Sequence, residues 1–351
     1  MNIKNEIKKY DVSNMTGNLL NFPFMVKDAI RIGRASVLPV NLKNLKKILI
    51  TGLGGSAIGG DILKSVLYEK ALVPVMVNRN YFVPKWVDKD TLVIAVSHSG
   101  NTEETISAFK DALKKNAKLL AVTTGGELAK LAKENKAPVI HIPAGAPPRA
   151  SLPYLFFPVL LALENLGYTQ VPGSELPELV SLLEKLKLLY EPGVRIENNP
   201  AKQLAGKLFA KPVIVFGSAD TTDAVAVRWK CQLAENAKVF SFSSILPEMN
   251  HNEIVGWELL KKVLRKFAVV FLEDRGDLAQ IKKRSKLTKA IIEKKANWAG
   301  VVSSTGESCL ARLFSLIYLG DFVSLYLAIM YKEDPTAIKM IEDLKKELAK
   351  K

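Results

Sequence analysis

Cysteine is almost absent from this chain: Cys231 and Cys309 are the two among 351 residues, and each lies inside a helical pattern. Two thiols cannot staple a fold of this length, so a disulfide scaffold is excluded and a reducing compartment, the cytoplasm, is the expected location. Histidine is scarce too, and no two of the three stand at metal-ligand spacing, which disfavours a zinc-dependent reaction. The stretch from Met1 to Tyr10 has no apolar core ahead of a small-residue cleavage site, so no secretory leader is read there. Low-complexity segments and short-period repeats are missing, which leaves out disordered and solenoid architectures. Acidic residues are in deficit, 35 against 50 Lys and Arg, and the formal charge of +15 favours anionic partners without saying which. Nucleic acid is not expected, because no helix-turn-helix or zinc-finger pattern is present and the lysines are spread along helices such as Lys185–Leu189 and Lys345–Leu348 as solvated faces.

What is present is an alternation of short β-rich runs with helical ones. Strands are expected at 48–51, 73–77, 92–96, 119–123 and 138–142, then at 213–216, 239–242 and 268–272. Helices are expected over most of 151–191, near 221–237 and 277–295, and in two long stretches over 307–350. Apolar runs without polar alternation mark strands covered on both faces, as in a parallel sheet flanked by helices. The fold class expected is therefore α/β, with two tandem doubly wound domains of flavodoxin-like design, residues 1–192 and 193–351, parted at the Glu191-Pro-Gly break. Leu310 to Tyr331 is long enough to span a bilayer, but Arg312, Gly320 and Asp321 interrupt it, so a buried helix and no membrane partner are expected.

Two loops at strand carboxyl ends carry chemistry. Thr51-Gly-Leu-Gly-Gly-Ser-Ala-Ile-Gly-Gly-Asp61 leads from a strand into a helix, where Gly54 and Gly55 permit close backbone approach and Ser56 adds a hydroxyl. The run half-matches a dinucleotide fingerprint, with Ala57 in place of the third glycine, and Val77-Asn-Arg79 offers no acid to a ribose, so a nicotinamide cofactor is disfavoured. Ser97-His-Ser-Gly-Asn-Thr-Glu-Glu-Thr105 places Ser97, Ser99 and Thr102 around a glycine at a helix start, an arrangement suited to a phosphate monoester. A plain Ser/Thr helix cap is the bland alternative.

Gly-Gly-Ser followed about forty residues later by Ser-x-Ser-Gly-Asn-Thr-x-Glu-Thr resembles the sugar isomerase (SIS) domain family of phosphosugar binders and isomerases. Val227–Lys238, Pro247–Glu253, Pro147–Ser151, Leu316–Phe322, Asp11–Met15 and Asp334–Thr336 extend the resemblance over nearly the whole chain, to the bifunctional phosphoglucose/phosphomannose isomerase family. The resemblance implies a cofactor-free and metal-free exchange of glucose 6-phosphate and mannose 6-phosphate with fructose 6-phosphate through an enediolate. It assigns Glu235 as the base and His251, contributed by the neighbouring subunit of a homodimer, as the ring-opening acid/base. It gives Arg149 the stabilisation of the developing oxyanion, places Lys332 close to the substrate, and links Ser324 to acceptance of both epimers. His98, at a position often aromatic in the family, and His141 are read as structural. A non-catalytic sugar-phosphate sensor is the alternative carried. A glutamine-dependent aminosugar synthase, which would need an N-terminal cysteine, is a minor one.

Overall fold

Strands that must be covered on both faces depend on small residues wherever a helix lies close, and the computed structural model, which describes residues 3–348 and 350, shows where those residues fall. The first sheet holds β1 (Lys47–Thr51), β2 (Val75–Asn78), β3 (Thr91–Ser97), β4 (Lys118–Thr123) and β5 (Val139–His141). Its order is β2-β1-β3-β4-β5 and every pairing is parallel, the flavodoxin-like order that the alternating pattern led one to expect. Leu49, Val93, Ala95 and Ala121 face one side and pack with Ala108, Phe109 and Ala112 of the helix Glu103–Lys114 and Leu128 of Gly126–Glu134. On the other side Gly60 allows the helix Gly55–Leu67 to touch Ile50 and Val77, since a Cβ there would stand 3.1 Å from the Ile50 side chain.

The second sheet holds β6 (Val213–Ser218), β7 (Ser241–Leu246), β8 (Ala268–Glu273) and β9 (Trp298–Ser303) in the order β7-β6-β8-β9, again all parallel. Two elements depart from the sequence reading. β7 forms at 241–246 rather than 239–242, because it is an edge strand whose Phe242 and Ile245 side chains stay exposed, like Phe240 just before it, so hydrophobicity does not mark its register. β9 was not anticipated at all: Trp-Ala-Gly-Val-Val-Ser lies at the other edge, only partly buried, and lacks the continuous apolar character of a central strand.

Cα packing divides the chain into Asn21–Val180 and a second unit made of the residues up to Leu20 with those from Ser181 on. The sequence reading drew a single division at 192. The reason for an earlier crossing is visible in Tyr190, whose ring packs on Tyr318 and Phe322 and whose carbonyl accepts the Tyr326 hydroxyl. The N-terminal segment joins the same body, because the Tyr318 hydroxyl donates to the Leu19 carbonyl at 2.8 Å. All three aromatic residues lie on the helix Cys309–Tyr331, which is apolar and long enough to cross a membrane, yet its apolar window is 94% buried within the protein.

Candidate active site

In an open α/β sheet, ligands collect beyond the carboxyl ends of the strands where the order reverses, which in the first unit is between β1 and β3. Both chemistry-bearing loops issue there, since Thr51 at the end of β1 lies beside Ala95 of β3. Gly54 holds φ +53°, a conformation that penalises a side chain, and nothing stands within 4 Å of where its Cβ would be. It opens the helix Gly55–Leu67 without any side-chain cap; the Ser56 amide donates to the Leu53 carbonyl at 3.1 Å, and no side-chain oxygen caps the helix start. Gly55 lies so close to Pro148 that an added Cβ would sit 3.0 Å from its carbonyl and 3.3 Å from the Arg149 nitrogen. That contact joins the first loop to the short turn Pro148–Ala150 carrying Arg149, a buried guanidinium at 5% exposure. Ser56 is buried in the first turn of the same helix.

The second loop is a hydroxyl ring. The Ser97 and Thr102 hydroxyls are 2.9 Å apart, the Gly100 amide donates to Ser97 Oγ at 3.1 Å, and the Asn101 amide donates to Ser99 Oγ at 3.2 Å. Thr102 stands at the N-cap of Glu103–Lys114 but its side chain does not cap the helix, which leaves the first-turn amides for another acceptor. An anion of phosphate size suits hydroxyls and amides so placed. His98 sits between the two serines, half-buried, with Nε2 enclosed and unpaired; burial pushes its pKa down, which favours the neutral imidazole.

Sequence reading missed what holds this ring in place. Gly100 has φ +69° and packs against Gly125 so tightly that an added Cβ would stand 1.8 Å from the Gly125 carbonyl oxygen. Asn101 Oδ1 accepts the Glu127 amide at 3.0 Å, the Gly100 carbonyl accepts the Leu128 amide at 2.9 Å, and the His98 carbonyl accepts the Thr124 amide at 3.1 Å. The one signal available was the Gly125-Gly126 pair after β4. Gly100→Ala is therefore expected to displace the ring and raise KM for a sugar phosphate at least about tenfold while kcat for saturated enzyme changes less, as loss of uniform binding requires. Steady-state kinetics on the purified variant would check this, and an unchanged KM would mean the ring does not grip substrate.

The remaining sequence-assigned residues lie in the second unit. Glu235 is half-buried near the end of the helix Asp223–Ala237, which stops where Lys238 turns left-handed at φ +56°. Its neighbour Asn236 is fully buried and donates to Ser324 Oγ at 3.0 Å, and Ser324 in turn donates to the Asp321 carbonyl at 2.8 Å. The Ser324 hydroxyl thus joins two helices and is fully buried, so a substrate-touching role for it has no geometric support within this unit. Arg228 Nη2 donates to both oxygens of Asp321, at 2.7 and 2.9 Å, and Gln232 adds a bond at 2.8 Å. His251 ends the short turn Glu248–His251 and is exposed. Lys332, exposed, terminates Cys309–Tyr331 in the left-handed conformation at φ +62°. Among the described residues no group of three His, Cys, Asp or Glu side chains is placed to hold a metal ion.

These features have counterparts in known proteins. Residues 41–153 match the SIS domain, and residues 197–348 match the bacterial phospho-glucose isomerase C-terminal SIS domain. The bifunctional phosphoglucose/phosphomannose isomerase of Caldicellulosiruptor bescii is 44% identical over 95% of this chain and 99% of its own length. The chain belongs to that family. The Aquifex aeolicus protein of the same name is 35% identical over 88% of this chain and 92% of its own. The fold is shared more widely: the C-terminal domain of glucosamine-fructose-6-phosphate aminotransferase from Francisella tularensis superposes with a TM-score of 0.67 at 16% identity, over 92% of this chain and 97% of that one. The family expected from the two loops is thus the one found, and both units are SIS-type.

Proposed function

We propose that this chain interconverts glucose 6-phosphate and mannose 6-phosphate with fructose 6-phosphate, with no cofactor and no metal, through an enediolate. The observation that carries the reading is the uncapped hydroxyl ring Ser97–Thr102 beside Gly54, Gly55 and Ser56 at the switch point of the first sheet, in a chain that a relative of that name matches over 95% of its length. In this reading the first unit grips the phosphate. Glu235 takes the proton from C2 of the open-chain aldose and returns it to C1 of the enediolate, while the O2 hydroxyl proton passes to O1, so that C2 becomes the ketone and C1 the alcohol. Because C2 becomes planar, the two epimers converge on one intermediate; their C2 protons leave from opposite faces of it, so one base serves both when the sugar turns about its C2–C3 bond.

Ring opening comes first: the C1–O5 bond breaks, O5 gains a proton and the C1 hydroxyl gives one up. We assign this exchange to His251 reaching in from the second copy of a homodimer, a role supported by its exposure on a surface turn and by the capacity of an imidazole to give and accept a proton. Arg149 is the cation for the developing oxyanion, and Lys332 is placed near the sugar. Ser324 is assigned a positioning role, holding Asn236 and thus the end of the Glu235 helix. The compartment assigned is the cytoplasm.

A coupled assay for fructose 6-phosphate, run on each aldose after exhaustive chelation, tests this: both are expected to turn over at rates the chelator does not change. Binding of glucose 6-phosphate with no turnover of either sugar would replace the enzyme by a sensor.

A further inference from the structure

The second unit repeats the first in topology, and its switch point lies between β6 and β8 as the phosphate loops of the first lie between β1 and β3. An anion cradle is therefore expected beyond Ser218 and Glu273. Donors do converge there. Ser218 Oγ at 3.1 Å, Thr221 Oγ1 at 3.0 Å and the Asp274 amide at 3.0 Å all point at one acceptor, and the two hydroxyls come from the loop after β6 while the amide comes from the loop after β8. The acceptor is the carboxylate of Asp277, which is 8% exposed. Both of its oxygens are engaged, and every named partner donates, the pattern that an ionised carboxylate satisfies.

The neighbouring carboxylate does not compete for these donors. Asp274 accepts from Ser304 Oγ at 2.6 Å and from the Gly276 amide at 3.0 Å, and it is paired with Arg312 Nε at 2.8 Å. Arg312 offsets much of the Asp274 charge. Burial, and in smaller part the Asp274 charge, still push the Asp277 carboxyl above its ordinary value, and the Asp274 amide and the Thr221 and Ser218 hydroxyls pull it back toward the ionised form.

We propose that the second unit carries a masked anion site in which Asp277 is the built-in occupant, so that phosphate-type ligands are admitted at the first unit's switch point and shut out of the second's. The ligand class the cradle would take without its occupant is a small oxyanion, formate or inorganic phosphate. This holds whatever reaction the first site supports, because it concerns residues that the isomerase reading does not use.

The test is chemical rescue of full-length Asp277→Ala. Removing the carboxylate leaves the Ser218, Thr221 and Asp274 donors without their acceptor, so the melting temperature in chloride buffer is expected to fall by about 5 °C or more, and about 100 mM formate or phosphate is expected to return at least half of that beyond any gain in the parent protein. Adding Thr221→Val to Asp277→Ala should abolish the rescue by removing a donor. A variant that does not fold in chloride should refold in formate; failure to do so, an unchanged melting temperature, or a loss that neither anion repairs would overturn the proposal. The unsubstituted protein supplies an independent measurement. Crystals soaked in phosphate should show no anion between Ser218 and Thr221, and density for one there would overturn it equally.

Discussion

Glu235→Gln is expected to lower kcat on both hexose 6-phosphates by about 10²–10⁴-fold, the range lost when a positioned general base is removed, while KM and inorganic phosphate binding stay close to those of the parent. Glutamine matches glutamate in volume and still accepts a hydrogen bond, so the half-buried helix end loses no packing. What it lacks is an anionic oxygen able to take a proton from carbon. The phosphate grip proposed above lies on other residues, the Ser97–Thr102 ring and the Gly54 turn, which the substitution does not touch. A split between the two constants therefore separates chemistry from binding. If kcat survives within a few-fold, the base is another residue and the assignment of Glu235 fails. If KM rises in step with the fall in kcat, the side chain serves to bind rather than to move a proton.

The parts of this protein that could be read from the sequence are those where one physical requirement dominates. Leu92–Val96 is continuously apolar because both faces of β3 are covered, and that signal holds wherever a strand is central. At the edges the requirement relaxes. β9 carries Trp298, Gly300 and a half-exposed Val301, a mixture that no period distinguishes from a loop, and β7 keeps aromatic side chains in solvent. The site shows the same division. Ser97, Ser99 and Thr102 announce themselves because hydroxyls around a glycine at a helix start suit phosphate chemistry, whereas Gly125 supports them across a tertiary contact with no local mark beyond a second glycine. Ser324 was assigned through the family resemblance alone, and its partners Asn236 and the Asp321 carbonyl could be known only once two helices had brought residues 88 positions apart together.

That helix pair is the support on which Glu235 rests, and its polar centre sets the second large expectation. Arg228 and Asp321 are 2% and 1% exposed, and Gln232 shares the same carboxylate. Close by, Gly320 leaves room for the Trp229 indole, which donates to the Leu316 carbonyl at 3.0 Å; a Cβ at Gly320 would stand 2.3 Å from the indole nitrogen. The interface is therefore closely packed around a buried ion pair, and removing one partner strands the other charge. Arg228→Met is expected to cost about 3–5 kcal/mol, since the lone carboxylate loses its counter-ion in a medium that cannot solvate it. Over a unit of this size such a loss lowers the melting temperature by about 10 °C.

The pH dependence gives the sign of the cause. Burial already pushes the Asp321 carboxyl above its ordinary value while the Arg228 guanidinium pulls it back, so taking away the arginine raises it further. A folded-state pKa above the unfolded one adds stability that is present below the unfolded value and lost as pH rises through the folded one. The deficit of Arg228→Met against the parent should accordingly be largest near pH 8 and shrink as the pH is lowered and the carboxyl takes up a proton. Adding Asp321→Asn removes the stranded charge altogether and should recover most of the loss at pH 8, with little further gain on acidification. Thermal melts of the parent, the single and the double variant across that range measure all three quantities. A single variant within about 1 kcal/mol of the parent would show the pair to be dispensable. A double variant no more stable than the single would show that packing of the arginine, rather than charge, holds the Glu235 helix in place.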